Sequence, residues 1–396
     1  MTAHPLLRRR DGHHARVTNE ELFFDLVYAF AVTQLSHHLL HDLSLHGVAE
    51  ALVLWFAVWL GWQYMAWLTN WFDPEKPAVR ALVFVMLLLA LLMSSAIPQA
   101  FGDRGLVFAL AYVAMQVGRS VFAVTQLGRA HPLYDNYLRI LGWLSIAALF
   151  WIAGGLAPPG STRLALWTVA VLCEYLSPMI GFALPVLGRS LPSKDWTIEG
   201  GHMAERCQLF TIVAIGEALL ATGGQFSAAE HWDATLLSAL FACVLGTAAL
   251  WWLYFGTASK DATEAITHAP DPGRVGAYFN YVHAILVAGI VVSAVGNDLV
   301  LEHPRHALET REVVALVAGP AIYLLGSAIY KYIVYGHVPL SHVAGAIALA
   351  VLVPVGYATD LLTMGWLTTL VLLVVSVWNW VALRRRRRPK GSPEAA

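Results

Sequence analysis

The sequence predicts an all-α protein: a polytopic transmembrane helical bundle of about twelve helices, arranged as two six-helix halves. Three observations lead there. First, eight runs contain no Asp, Glu, Lys or Arg: Ala51–Phe72, Ala81–Phe101, Ile140–Thr162, Ala234–Ser259, Val275–Asn297, Val313–Tyr330, Val338–Thr359 and Leu361–Leu383. A hydrocarbon core of roughly 30 Å needs about 20 such residues in a helix. Second, 58% of the 396 residues are hydrophobic and only 13% are charged, with mean hydropathy +0.60. Soluble domains carry about 25% charge. Third, the runs are rich in Leu, Ala and Val and do not alternate strictly. That pattern belongs to helices rather than barrel strands, and only those two forms satisfy their backbone polar groups in lipid.

Taken in order, the expected spans are 20–40, 48–71, 79–98, 105–127, 138–157, 163–187, 205–223, 233–257, 276–298, 312–334, 338–357 and 362–383. Residues 1–19 form a basic segment without the apolar stretch of a signal peptide, so the first span serves as the targeting signal. The first half covers 20–187, the connecting loop 188–204 and the second half 205–383. A basic tail, 384–396, follows. A shift of 185 residues aligns Glu20 with Glu205, Leu60 and Gly61 with Leu245 and Gly246, and Trp67 with Trp252, a weak internal repeat of the kind transporters carry.

An even number of spans puts both termini on one side. With that side cytoplasmic, the inner segments hold Arg8, Arg9, Arg10, Arg16, Lys76, Arg80, Arg129, Arg139, Arg189, Lys194, Arg206, Lys260, Arg274, Lys331, Arg384 to Arg388 and Lys390. Only Arg104, Arg163, Arg305 and Arg311 fall outside, and Arg119 lies within the fourth span. This asymmetry obeys the positive-inside rule. The Arg384 to Arg388 run reads as an anchor for anionic lipid, and no nucleic-acid partner is expected. The lipid bilayer is the main partner.

Ionisable groups at membrane depth are costly and default to functional candidates. The first span opens with Thr18, Glu20, Glu21 and Asp25. Thr18 and Glu21 fit a capping box, and Asp25 shares a face with Glu21 one turn further in. The seventh span, with His202 just ahead of it, carries Glu205, Arg206 and, eleven residues after the arginine, Glu217. Eleven residues return to nearly the same face, roughly 16 Å along the axis. Arg119 and Glu174, in the fourth and sixth spans, are candidates to pair across helices. His283 suits proton chemistry or core packing. Trp59 and Trp62, in the middle of the second span, either pack or line a cavity, and Asn70 follows them near its end. His37 and His41 are four apart, a spacing that suits a divalent metal, but helix-end histidines are more often solvated and no metal is assigned. Cys173, Cys207 and Cys243 have no metal-type spacing and read as small core hydrophobes. There is no phosphate-binding loop, no zinc-protease motif and no nucleophile elbow, so no cofactor is expected.

Four blocks of these residues resemble the bacterial low-temperature-requirement A (LtrA) family. The first runs from Glu21 through Phe23, Phe24, Asp25 and Val27 to Gln34 and His37. The second is Thr69, Asn70, Phe72 and Asp73 after the Trp-rich helix. The third joins His202, Glu205 and Arg206 to Ile215, Gly216 and Glu217. The fourth holds Tyr281, His283, Gly289, Ile290, Ala294 and Gly296. The chain departs from the family pattern at Cys207 and Gln208, where an aromatic residue and a glycine are usual. The resemblance implies an integral protein of the bacterial inner membrane, and it raises Asp25, Glu205, Arg206 and Glu217 as site residues. It does not supply a mechanism.

The leading expectation is a proton-coupled secondary transporter of an unidentified small molecule. The substrate and proton path would use Asp25, Glu205, Arg206, Glu217, Glu174, Arg119 and His283, with Glu217 as proton carrier. Glu21, Trp59, Trp62 and Asn70 would serve as gate or cavity. Two alternatives stay open: a non-catalytic sensor or assembly partner supporting growth in the cold, and an intramembrane lipid-handling enzyme. The last lacks a convergent acid, base and nucleophile.

Overall fold

The computed structural model describes residues 4–10, 15–190, 198–256 and 272–387. Twelve α-helices form among them, and the only β pairing described there is isolated bridges. They are α1 (Asn19–His41), α2 (Leu45–Trp71), α3 (Pro77–Ala96), α4 (Gly105–Leu127), α5 (Tyr134–Leu156), α6 (Ser161–Met179), α7 (Gly200–Ala228), α8 (Ala234–Phe255), α9 (Pro272–Glu302), α10 (Thr310–Tyr335), α11 (Leu340–Gly356) and α12 (Leu361–Arg387). Nine of these helices are long and apolar enough to cross a membrane. Of the other three, α11 is apolar but spans only 17 residues, while α1 carries Glu20, Glu21 and Asp25. Large apolar side chains stay exposed along single faces, such as Phe84, Leu88 and Leu91 on α3. Such faces suit contact with acyl chains. The protein is a multi-pass membrane protein.

The expected bounds of the sixth and seventh helices need the most correction. The sixth helix stops at Met179 rather than continuing to 187. Gly181 turns the chain with φ +67°, and Phe182 and Val186 also take positive φ, a region that ends helices. The seventh begins at Gly200, before 205, because Glu199 caps it: its two carboxylate oxygens accept from the amides of Gly201 (3.0 Å) and His202 (2.6 Å). Within the basic tail, Arg384 stacks on Trp380 at 3.8 Å. The expectations for Lys194, Lys260, Arg388 and Lys390 fall outside the described residues.

The chain divides into two compact units: Met1–Val213 with Ile266–Asn280, and Ala214–Ala265 with Tyr281–Ala396. Helices α7 and α9 each contribute to both. In the first unit α4 packs on α3 and α5, α5 on α6, and α1 on α2 and α3. Small residues make these approaches possible. A Cβ on Gly154 would lie 2.4 Å from the Trp167 ring. Arg163 then fastens the turns at that end by donating to the carbonyls of Gly154 (3.1 Å), Ala100 (2.9 Å), Gly102 (2.6 Å) and Ala157 (2.7 Å).

In the second unit α8 packs on α12, α10 on α11, and α11 on α12. Helices α9 and α10 touch backbone to backbone: a Cβ on Gly289 would lie 2.6 Å from the Tyr323 amide, and one on Gly319 2.5 Å from that of Ser293. Asp360 starts α12 by accepting from the Thr363 amide at 2.8 Å, and Arg305 reaches its other oxygen at 3.0 Å. Burial pushes the Asp360 carboxyl upward. The Thr363 hydrogen bonds and Arg305 outweigh it and hold the group below its ordinary value. Its stabilising contribution is therefore complete above about pH 4 and is lost as pH falls through the lowered folded value. Asp360→Ala should cost about 1 kcal/mol at neutral pH and Asp360→Asn less, since asparagine still caps. Thermal melts in detergent at pH 7 would show this order, and equal melting of Asp360→Ala and the parent would refute it.

Candidate functional site

Glu21 lies at the start of α1 because the sequence makes it half of a capping box. Its carboxylate accepts from the Thr18 amide at 2.9 Å, while Thr18 Oγ1 accepts from the Glu21 amide at 3.4 Å. This satisfies two of the free donors at the helix start. The same carboxylate has capacity left, and cations fill it. Oε2 takes Arg8 Nη2 at 2.9 Å, and Oε1 takes Arg206 Nη1 at 2.9 Å and His202 Nε2 at 3.0 Å.

Asp25 follows one turn later on the same face. Its Oδ1 accepts from Arg206 Nη2 at 2.6 Å and from Trp62 Nε1 at 2.7 Å, while its Oδ2 has no partner. Arg206 therefore bridges the two carboxylates of α1, and Nη1 also reaches Thr69 Oγ1 at 3.2 Å. Glu21, Asp25, His202 and Arg206 are at most 1% exposed. The two carboxylates and the guanidiniums of Arg8 and Arg206 balance in charge, and at such burial balance is obligatory.

The end of α2 positions the cations. Leu7 pairs with Phe72 in an antiparallel bridge: the Arg8 amide donates to the Trp71 carbonyl at 2.7 Å and that of Asp73 to Leu6 at 2.9 Å. This lays residues 6–8 across the site, where Arg8 Nε meets the Thr69 carbonyl at 2.7 Å. Asn70 exchanges two backbone hydrogen bonds with Glu199, both 2.9 Å, and its amide nitrogen lies 3.2 Å from His202 Nδ1. An Asn70 N–H donated to Nδ1 leaves the His202 proton on Nε2, aimed at Glu21. Glu205 accepts from the Val17 amide at 3.2 Å, holding the segment that leads into α1.

Aromatic rings cover the network. Trp62 lies 5.0 Å from Trp59 and 4.6 Å from Phe210, and the Arg206 guanidinium sits 5.8 Å over the Trp62 ring. Both tryptophans are fully buried, so they pack here. They keep water from the ion pairs, which strengthens them.

The other candidates are placed separately. Arg119 and Glu174 do not form the expected ion pair. Glu174 accepts from Tyr112 Oη (2.7 Å) and Trp151 Nε1 (3.1 Å), and Gln116 Nε2 donates to the same tyrosine (2.9 Å). Arg119 lies two turns beyond Tyr112 on α4, roughly 10 Å along the axis. It stacks 4.8 Å over the Tyr64 ring. In the second unit, His283 Nε2 is 2.6 Å from Tyr254 Oη, with the Tyr330 ring edge-on at 5.5 Å. Glu217 is half-buried and belongs to that unit too. His37 and His41 are exposed, while His38 and His46 turn to Glu50 at 3.6 and 3.1 Å. No group of three or more metal-ligating side chains exists among the described residues. Cys207 and Cys243 are buried and Cys173 is half-buried, all as free thiols.

With this geometry in view, comparison with known proteins decides the family. The profile described as bacterial low temperature requirement A protein (LtrA) matches residues 16–377. The chain belongs to the LtrA family. A protein of Rhizobium meliloti (strain 1021), named uncharacterized protein RA0937, is 37% identical over 385 residues, covering 96% of this chain and 93% of its own. No solved structure matches. The LtrA match begins at Arg16, so Arg8 lies ahead of it. Sequence reasoning assigned no role to Arg8, Thr69, Glu199 or His202. Thr69 and His202 stood inside the motif blocks, but Arg8 read only as one of several topogenic arginines.

Removing Arg206 strands the buried Asp25 carboxylate and takes one of the cations from Glu21, which keeps Arg8 and His202. Arg206→Gln should lower stability by about 3–5 kcal/mol. Adding Asp25→Asn should restore part of the loss, giving a coupling of about 1 kcal/mol or more in a double-mutant cycle. Additive losses in chemical or thermal unfolding would show that the bridge is energetically idle.

Proposed function

We propose that this LtrA protein is a proton-coupled secondary transporter of a small solute. In this reading it sits in the bacterial inner membrane with both termini cytoplasmic and two six-helix halves, 20–187 and 205–383. The distribution of basic residues supports the orientation. The observation that carries the transport reading is the charge-balanced network of Arg8, Glu21, Asp25 and Arg206, with one carboxylate oxygen left without a partner.

Asp25 takes the proton-carrier role expected of Glu217. It is fully buried whereas Glu217 is half-buried, and its free oxygen accepts a proton without breaking the contact to Arg206. Protonation removes one negative charge and leaves the network with an excess cation. A buried excess charge costs several kcal/mol, so the protonated site favours a solute that brings a negative charge. Proton and anionic solute then bind together, which is the requirement for symport. Arg206 is the anion contact. Glu205 and Asn70 hold the backbone that closes the cytoplasmic side, with Trp59 and Trp62 as the dry wall. Glu174 and Arg119 support the site through the core of the first unit, and Glu217 and His283 remain candidates for proton transfer within the second.

A groove of about 620 Å³ between α10 and α11, lined by Leu324, Ala328, Val343 and Ile347 among others, favours a second reading in which the protein binds lipid. Proteoliposomes holding a pH dye separate the two. Small carboxylates and phosphates added outside should acidify the lumen with wild-type protein. Asp25→Asn vesicles should show no such acidification, although the variant melts cooperatively. Equal acidification by Asp25→Asn, or none with any anion, would reject the transport reading.

A further inference from the structure

The second unit holds a small polar cavity that the charge network does not use. It has a volume of about 30 Å³ and lies among α8, α9, α10 and α12, enough for one or two water-sized occupants. No Lys, Arg or His lines it. Its polar groups are Thr247, Ser293, Asn297, Thr368 and Thr369, together with the Cys243 thiol.

The direction of the hydrogen bonds gives the cavity its character. Thr247 Oγ1 donates to the Cys243 carbonyl at 2.9 Å, and Ser293 Oγ to that of Gly289 at 2.7 Å. Thr368 Oγ1 donates to the Met364 carbonyl at 3.2 Å, and Thr369 Oγ1 across to that of Ala242 at 3.0 Å. Each hydroxyl has thus spent its single proton on backbone, and what remains on it is lone pairs. The Asn297 amide nitrogen points to Thr247 Oγ1 at 3.4 Å, which leaves its carbonyl oxygen as an acceptor. Pro320 and Leu316 also line the cavity, and Pro320, which lacks an amide hydrogen, gives no helix hydrogen bond to the carbonyl of Leu316 four residues earlier. Gly246 keeps the space open, since a Cβ there would meet Thr369 Oγ1 at 2.8 Å. Beside the cavity, the buried carboxylate of Asp298 follows Asn297 in α9 and acts electrostatically on Cys243.

A concave set of acceptors whose hydroxyl donors are all engaged, with one N–H of Asn297 also directed to Thr247, repels anions and attracts a hard cation. Neutral oxygens at this count suit a monovalent ion, and the small volume suits Na⁺ over K⁺. We propose that the cavity bounded by Thr247, Ser293, Asn297 and Thr369 is a Na⁺-binding site. It stands apart from the transport reading, because it uses none of the residues of the Asp25 network.

The test uses the purified full-length chain in choline chloride, titrated with NaCl or KCl at constant ionic strength. Na⁺ should raise the melting temperature saturably, as mass action requires of a ligand that binds only the folded state, while K⁺ and choline should not. Thr369→Val and Thr247→Val should weaken the apparent Na⁺ affinity at least tenfold, with Ser293→Ala as the milder variant should either fail to fold. Radioactive Na⁺ bound to the wild-type protein should be displaced by unlabelled Na⁺ and not by choline. A response shared by all three salts, no displaceable Na⁺, or a Na⁺ response unchanged in the folded variants would overturn the site and leave a cavity for ordered water only. Asp25→Asn should keep the Na⁺ response.

Discussion

Arg206 must reconcile two carboxylates that stand one turn apart on a single helix. Glu21 and Asp25 both point from α1 into the first unit, where neither can be solvated. Alone they would repel each other and refuse burial. A planar guanidinium with a forked set of donors can meet both at once, which a lysine ammonium cannot do with the same geometry. Much of the surrounding structure follows from that need. The end of α2 supplies Thr69 to fix the guanidinium and Asn70 to fix His202. Residues 6–8 bring the second cation, Arg8. Trp62 both donates to Asp25 and shields the pair.

The second unit solves a different problem. Its core is built on close backbone contact between helices, made possible by Gly289, Gly319 and Gly246, and on hydroxyls that return their protons to the helix backbone. Small-residue packing of this kind is how helices associate where no hydrophobic force separates them from lipid. It leaves small spaces whose chemistry depends on which way each hydroxyl faces. The Arg206 charge network belongs to the core of one unit, and the ring of oriented hydroxyls to that of the other, where Asp298 and Lys331 are also buried.

The helices were legible in the sequence because hydropathy is a local property. Runs free of charge over some twenty residues can be little else, and the capping box at Thr18 and Glu21 could be read directly. The end of α6 was overrun: Gly181 sits just past Met179 as a stop signal, but the apolar residues that continue to Leu187 masked it, and nothing in the sequence marks the positive φ of Phe182 and Val186. Within the site, Glu21, Asp25 and Arg206 stood out singly because charge at membrane depth is rare. Their convergence did not, since Arg206 and Asp25 are far apart in sequence and no periodicity links them. Arg8 was hidden by its neighbours Arg9 and Arg10, which carry the same charge and, as far as sequence goes, the same meaning. The pairing expected of Arg119 and Glu174 assumed that opposite charges in neighbouring helices must meet. Tyr112 and Trp151 show that neutral donors satisfy a buried carboxylate as well.

One carboxylate serves both the first turn of α1 and the cations around it. The Thr18 amide and Arg8 share the same Glu21 oxygen, and Arg206 holds the other. Nothing can be taken from one role without touching the other. Whatever pulls the cations away also unbinds the start of the helix, and whatever frays that turn sets the cations loose. The beginning of α1 therefore behaves as a latch with a single bolt: local helix order and the electrostatic state of the core open and close together.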